Sequence, residues 1–169
     1  MGGGIRGERK IYSIASYQKD ENKTQKRIQD YSEGRKKPRV FISFHIDDEA
    51  QVNFLRYQAK NSDKLEFTDY SVKEPFDDKW KTRCTERIRQ STVVVIAIGE
   101  HTHEREAVLW EIRKAHEIGK PVIGMRIHSD KNHKIPAPMK EHGDKVISWN
   151  LTILQNEINR EIKDKENRG

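Results

Sequence analysis

The chain has 169 residues, of which 33% are hydrophobic and 36% charged, with a formal net charge of +6. That length fits one domain, with or without an appendage, and so polar a composition confines the core to a few elements. No apolar run approaches the roughly 18 residues of a membrane span, no apolar signal-peptide core stands at the start, and the single cysteine, Cys84, excludes an intrachain disulfide and a multi-thiolate metal site.

These absences point to a cytoplasmic protein. The charge is unevenly spread. Residues 1–39 hold 11 Lys/Arg and 5 Asp/Glu, so they carry the whole excess, and the remainder holds 22 of each. A neutral domain behind a basic segment does not have the composition of a nucleic-acid-binding fold. Residues 1–37 are therefore expected to be a basic, polar N-terminal extension, and 38–165 the domain. The start, Met1 to Arg6, lacks the Ser or Thr that myristoylation wants at position 6. From Gln18 to Lys37 only Ile28 and Tyr31 are large and apolar, too few to bury much.

After Pro38 the pattern changes. Residues 39–44 read as a strand, and His45 to Asp48 as a loop in which Asp47 or Asp48 is a natural N-cap. A helix follows over about 49–60, with Val52, Leu55 and Ala59 inward. Residues 65–70 alternate as a strand, and 71–78 form a loop around Pro75. A charged helix over 77–90 carries Trp80, Cys84 and Ile88 on one face, where Cys84 reads as a core residue. Thr92 to Ile98 is β-branched at every position except Ala97, the pattern of a strand buried on both faces. Gly99 ends it. Ala107, Val108, Ile112, Ala115 and Ile118 then follow the helical period, which stops at Gly119 with Pro121 just beyond. Residues 122–127 form the next strand, 128–144 a loop too short for a full helix, 146–149 a short strand, and 151–165 a last helix with Leu154, Ile158 and Ile162 on one face.

Five strands alternating with helices mean an α/β fold with a parallel sheet covered on both faces. The natural strand order is the flavodoxin-like 2-1-3-4-5, with one degenerate crossover helix between the fourth and fifth strands. In that order a ligand crevice lies at the C-terminal ends of the first and third strands. The loops at that point are Phe44 to Asp48 and Gly99 to Glu104. Several motifs are missing there: no G-x-G-x-x-G follows a strand, and no P-loop or G-x-S-x-G exists. A phospho-acceptor receiver would need an Asp where Ile98 and Gly99 stand. His101 and His103 with Glu104 have no further spaced ligand, so no metal site is expected.

The segments Val40 to Phe44, Val94 to Gly99, Thr102, Trp110 to Ile112 and Ala115 to Gly124 resemble the bacterial TIR-like family that includes the TIR subunit of Thoeris anti-phage systems. The resemblance covers about residues 38–163, and its most specific part is 108–127. In TIR enzymes the catalytic residue is a glutamate on the helix after the third strand, and Glu111 occupies that position. Many TIR domains carry a tryptophan four residues before the glutamate. That position is Ala107 here, and Trp110 stands directly before Glu111.

The resemblance implies cleavage of NAD+ between nicotinamide and ribose, with NAD+ as substrate and no cofactor. The product would be ADP-ribose or a cyclic isomer, a signal activating a separate effector protein in anti-phage defence, with a phage-derived trigger. Such a reaction asks little of the protein. Nicotinamide leaves as a neutral group, and one carboxylate suffices to stabilise the ribosyl cation or hold a ribose hydroxyl. Phe44 and Trp110 would offer aromatic faces, and His45, Asp47, Gly99 and Thr102 would line the crevice. By the same resemblance, loop 71–78, with Lys73, Pro75 and Phe76, would complete a neighbour's site in a homo-oligomer. No membrane and no specific nucleic acid are expected as partners. On this reading Glu111 lines solvent, so replacing it abolishes turnover and leaves the fold intact. Two other readings stay open: a non-catalytic TIR adaptor assembling by homotypic contacts, and a nucleoside deoxyribosyltransferase-like enzyme acting on another N-glycosidic bond.

Overall fold

The run Val93–Ile98 forms β3, buried at all six positions. The computed structural model describes residues 37–62, 65–68 and 79–169, which belong to one compact unit, Lys37–Gly169. Lys73, Pro75 and Phe76, and residues 1–36 of the expected extension, lie outside the described residues. The other strands are β1 (Arg39–Ser43), β2 (Glu66–Thr68), β4 (Val122–Arg126) and β5 (Lys145–Ile147). The sheet has the order β2-β1-β3-β4-β5, and every neighbouring pair is parallel. This is an α/β fold consistent with a flavodoxin-like arrangement.

Strand parity divides the core in two. Val40, Ile42 and Phe44 join Val93, Val95 and Ala97 on one face, packed against Val52, Leu55 and Ala59 of α1 (Glu49–Ser62) and Leu154 and Ile158 of α5 (Leu151–Arg168). Phe41, Val94, Ile96 and Ile98 take the other face. There they meet Trp80, Cys84 and Ile88 of α2 (Trp80–Gln90) and Val108, Ile112 and Ala115 of α3 (Glu106–Ile118). Each fully buried Ile, Leu or Phe contributes roughly 1.5–3 kcal/mol, so these few elements carry the fold of a chain that is polar elsewhere.

Ser43 has the parity of Phe41 and faces α3. It is a buried hydroxyl in a strand otherwise lined by hydrocarbon, and it requires a partner.

The helix ends follow their chemistry. Gly119 ends α3 at φ +79°, with its own N–H bonded to the His116 carbonyl and the Lys120 N–H to the Ala115 carbonyl, a Schellman closure. Asn150 caps α5 by accepting from the Ile153 N–H at 3.0 Å.

Four details depart from the sequence reading or refine it. A 3-10 turn, Ile46–Asp48, precedes α1 and takes in both aspartates; it has a cap of its own in His45, whose Nδ1 accepts from the Asp47 N–H at 3.2 Å. A second 3-10 turn, Thr102–Glu104, separates Gly99 from α3. The degenerate crossover helix between the fourth and fifth strands, given no bounds within the loop over 128–144, is six residues long, α4 (Ala137–His142), closed by Gly143 at φ +76°. Finally, β5 ends at Ile147, so Trp149 lies in the turn beyond it.

The short α4 packs close because β4 carries Gly124 beneath it. A Cβ there would come within 2.8 Å of Met139 Cε and Ile98 Cδ1.

Candidate active site

Glu111 lies on the face of α3 turned toward the sheet and is only 6% exposed. The expectation that it lines solvent is thus corrected. The helical period explains why: Val108, Ile112 and Ala115 share its side of the helix, and their burial carries Glu111 inward.

Both carboxyl oxygens are engaged. The Ser43 hydroxyl, at the end of β1, donates to Oε2 in a short hydrogen bond. The Cys84 thiol, on α2, donates to Oε1 at 3.5 Å. Three elements therefore converge on one carboxyl group. Burial pushes its pKa from 4.5 up to about 7, against the opposing pull of the Ser43 and Cys84 hydrogen bonds and of Arg105. Burial, with the neighbouring Glu111 carboxyl, also pushes the Cys84 thiol up, so it stays a neutral donor.

A second group of polar side chains gathers beyond the same end of β1. Asp48 is buried, and its carboxylate lies so close over Gly99 that a Cβ on that residue would overlap it. Gly99 is thus required by close approach, with the loop after β3 lying beneath the loop after β1. Asp48 Oδ1 is 3.8 Å from His128 Nε2, and Asp48 Oδ2 is buried without a hydrogen-bond partner. Burial raises the Asp48 pKa, opposed by His128 and then His45.

The fully buried Thr102 holds the loop: its Oγ1 accepts from the Gly99 N–H at 2.8 Å and donates to the Ala97 carbonyl at 3.1 Å. That hydroxyl is committed to the loop itself. His101 pairs with Glu104 at 2.9 Å, and its ring centroid lies 5.8 Å from that of His45.

The residues singled out from sequence are therefore placed unevenly. His45, Gly99 and Thr102 gather at the C-terminal edge of β1 and β3, with Asp47 exposed beside them. Phe44 packs into the core of the opposite face from Glu111, with the Arg56 guanidinium 5.7 Å from its ring centroid. Trp110 is half-buried in the contact between α2 and α3, its ring centroid 4.9 Å from that of Trp80. Lys81 and Lys114 place their ammonium groups over it at 5.9 and 5.6 Å.

Sequence reasoning missed Ser43, Cys84 and Asp48 as members of the site. Ser43 had a usable signal, as the one hydroxyl in an otherwise apolar strand. Cys84 had none, since its place in the Trp80–Cys84–Ile88 stripe is that of a core residue. A cavity of about 450 Å3, lined by Ala50, Gln51, Phe54, Ile127, Ser129 and Trp149, opens on the α1 side of the sheet, the face opposite Glu111. Among the described residues no helix is long and apolar enough to cross a membrane.

The family described as Thoeris protein ThsB, TIR-like domain, matches residues 41–132, a span that includes Ser43, Asp48, Cys84, Gly99 and Glu111. No curated protein matches the chain. Among solved structures, a conserved protein from Enterococcus faecalis V583 aligns with a TM-score of 0.51 at 15% identity, over 75% of this chain and 99% of that one. The CMP N-glycosidase BcmB of Clostridium botulinum aligns with a TM-score of 0.47 at 15% identity, over 74% of this chain and 98% of that one. At such identity the Enterococcus likeness speaks for the fold alone. The family match spans more than half of the 169 residues and contains the whole Glu111 cluster, and on that ground the chain belongs to the Thoeris ThsB TIR-like domain family.

Proposed function

We propose that the protein is an NAD+ glycohydrolase or cyclase that breaks the nicotinamide–ribose bond, with Glu111 as its catalytic residue. The observation that carries this reading is the buried Glu111 carboxyl, held by Ser43 and Cys84 and poised near neutral pH at the end of β1. A carboxyl group shifted by burial and fixed by specific partners is the signature of a functional site. Family membership supplies the context of anti-phage defence.

In the reaction the glycosidic C–N bond breaks and its electron pair leaves with nicotinamide, which becomes neutral. The ribosyl cation left behind is stabilised by ionised Glu111. It is captured by water, which loses a proton and gives ADP-ribose, or by a nucleophile of the same molecule, giving a cyclic isomer. Exclusion of water favours the cyclic, signalling product. That product would activate a separate effector protein in the cytoplasm after a phage-derived trigger. Assembly into a homo-oligomer through loop 71–78 would complete the site.

The test is chromatography and mass spectrometry of NAD+ incubated with the full chain and with Glu111→Gln, alone and in lysate from infected cells. Nicotinamide release that requires Glu111 is the expected result, and the mass of the co-product separates hydrolysis from cyclisation. One observation favours the adaptor reading: both oxygens of Glu111 are occupied by protein donors, as in a structural hydrogen-bond hub. No release from soluble, assembled protein in either setting would establish that reading. Release of a base from a nucleoside or nucleotide but not from NAD+ would establish the deoxyribosyltransferase-like one.

A further inference from the structure

We propose that His116, His142 and Asp144 form a binding site for a divalent transition-metal ion, Zn2+ fitting best. Among the described residues this is the one group of three His, Cys, Asp or Glu side chains whose ligand atoms all lie within 4.8 Å of one another. His116 Nε2 is 2.7 Å from Asp144 Oδ2, and His142 Nδ1 is 3.0 Å from Asp144 Oδ1. The cluster sits in the last turn of α3 and the turn between α4 and β5, apart from the Glu111 cluster and from the imidazoles around Asp48. Spacing in the sequence conceals it, because His116 and Asp144 are 28 residues apart.

The donor set selects the class of ion. Two imidazoles and one carboxylate suit zinc and its borderline neighbours, whereas calcium and magnesium want oxygen alone. Zinc–ligand bonds of about 2.0–2.2 Å place tetrahedral donors roughly 3.3 Å apart; the two imidazoles now face different oxygens of Asp144, at 2.7 and 3.0 Å, so one of them must turn toward the oxygen the other uses, within a set of ligand atoms that already lie within 4.8 Å of one another.

The backbone beneath the ligands is fixed. The Gly119 closure follows His116, and the Asp144 N–H bonds to the Met139 carbonyl at 2.9 Å behind Gly143. The two imidazoles are now stacked, centroids 3.8 Å apart and planes 13° from parallel. An ion must splay them. His142, with its side chain 60% exposed at the end of α4, has the room to swing, while Asp144 at 5% and His116 at 14% stay seated. On binding, each imidazole gives up the proton it holds toward Asp144, on Nε2 of His116 and Nδ1 of His142, carries its remaining proton on the other ring nitrogen, and turns the freed lone pair to the ion. A water molecule completes the tetrahedron. The bound ion would fasten the end of α3, the helix carrying Glu111, to the turn that starts β5.

The test uses the full chain stripped of metal by chelation and dialysis, with Co2+ as the optical probe and Zn2+ as the competitor. Wild type should develop the intense visible band of tetrahedral Co2+ at one equivalent, and Zn2+ should erase it. Removing a group that merely hydrogen-bonds to a metal ligand costs about 10–100-fold in affinity, so His142→Ala, which removes a direct and exposed ligand, should cost at least that and lose the band. His116→Ala should do the same. His128→Ala, outside the cluster, should bind as wild type. The proposal is overturned if wild type gives no tetrahedral band, or if the band survives His142→Ala with unchanged affinity. Circular dichroism of the variants shows that they are folded, and the exposed position of His142 keeps the test decisive if His116→Ala is not.

Discussion

Glu111→Gln should make the protein more stable, and by an amount that depends on pH. Burial raises the Glu111 pKa from 4.5 to about 7, a shift that corresponds to about 3 kcal/mol at 1.36 kcal/mol per unit. The sign follows from proton counts. Below the unfolded value both states are protonated and the carboxyl group imposes no electrostatic penalty. Between 4.5 and about 7 the unfolded chain ionises while the folded one keeps its proton, so stability falls as pH rises. Above about 7 the folded state carries a buried anion, and the full penalty remains. Glutamine keeps the shape and has no charge to bury; its oxygen accepts from the Cys84 thiol while its NH2 donates to the Ser43 hydroxyl, which turns to accept. The variant should therefore match wild type near pH 4 and exceed it by up to about 3 kcal/mol at pH 8. At roughly 2–4 °C per kcal/mol for a domain near this size, that is a Tm difference of about 6–12 °C. Urea unfolding and calorimetry at pH 4, 6 and 8 measure it. A difference independent of pH, or a variant less stable than wild type at pH 8, would refute the claim that burial of this carboxyl group dominates its energetics.

If ionised Glu111 is the active form, nicotinamide release should rise with pH through about 7 and then level off, as a pH–rate profile of kcat/KM would show. Ser43→Ala removes a hydrogen bond that pulls the Glu111 pKa down, so the rising limb of that profile should move to higher pH; an unmoved limb would dissociate Ser43 from the titration. Gly124→Ala brings a methyl group within 3.0 Å of Met139, Ile98 and Val146 side chains, and should cost about 1–3 kcal/mol in denaturant unfolding. Deleting residues 1–37 should leave a folded domain with a single cooperative transition; loss of that transition would place the extension in the core.

The legible parts of the fold were those where one residue pattern has one physical outcome. A β-branched run such as Thr92 to Ile98 fits a strand covered on both faces. A 3.6-residue period closed by Gly119 fits a helix with a defined end, and Trp80, Cys84 and Ile88 point one way on any helix. The bounds of helix α4 were hidden because Pro136 and Pro138 read as loop residues and its stability is tertiary: Met139 packs over Gly124 of β4. The capping role of His45 was hidden because aspartates are the more usual caps. At the site, the position of Glu111 was legible through the family resemblance, but its environment was not. Burial depends on how α3 rolls against the sheet, and no local pattern shows that a serine on β1 and a cysteine on α2 converge on one carboxyl group. The close approach of Asp48 to Gly99 is likewise a contact between two loops 51 residues apart.

The three elements around Glu111 also bear on how such a site would be switched. A carboxyl group facing water would titrate near 4.5 and stand ionised at all times, with its field screened by solvent. Held under Ser43 and Cys84, it is divided between its neutral and ionised forms near pH 7, and its charge acts through a medium that screens it little. On the proposed reaction, the same burial that lowers stability would strengthen its interaction with a ribosyl cation. It also means that each oxygen of the resting group already accepts one hydrogen bond from the protein, which leaves a substrate only its remaining lone pair. Freeing one oxygen fully requires turning the Ser43 hydroxyl or moving α2 with Cys84, and the second is a motion of a helix. In sequence, α2 (Trp80–Gln90) follows two residues after loop 71–78, the loop that the proposed assembly would set against a neighbouring protomer. A contact formed there would act on α2, and through Cys84 on the carboxyl group itself.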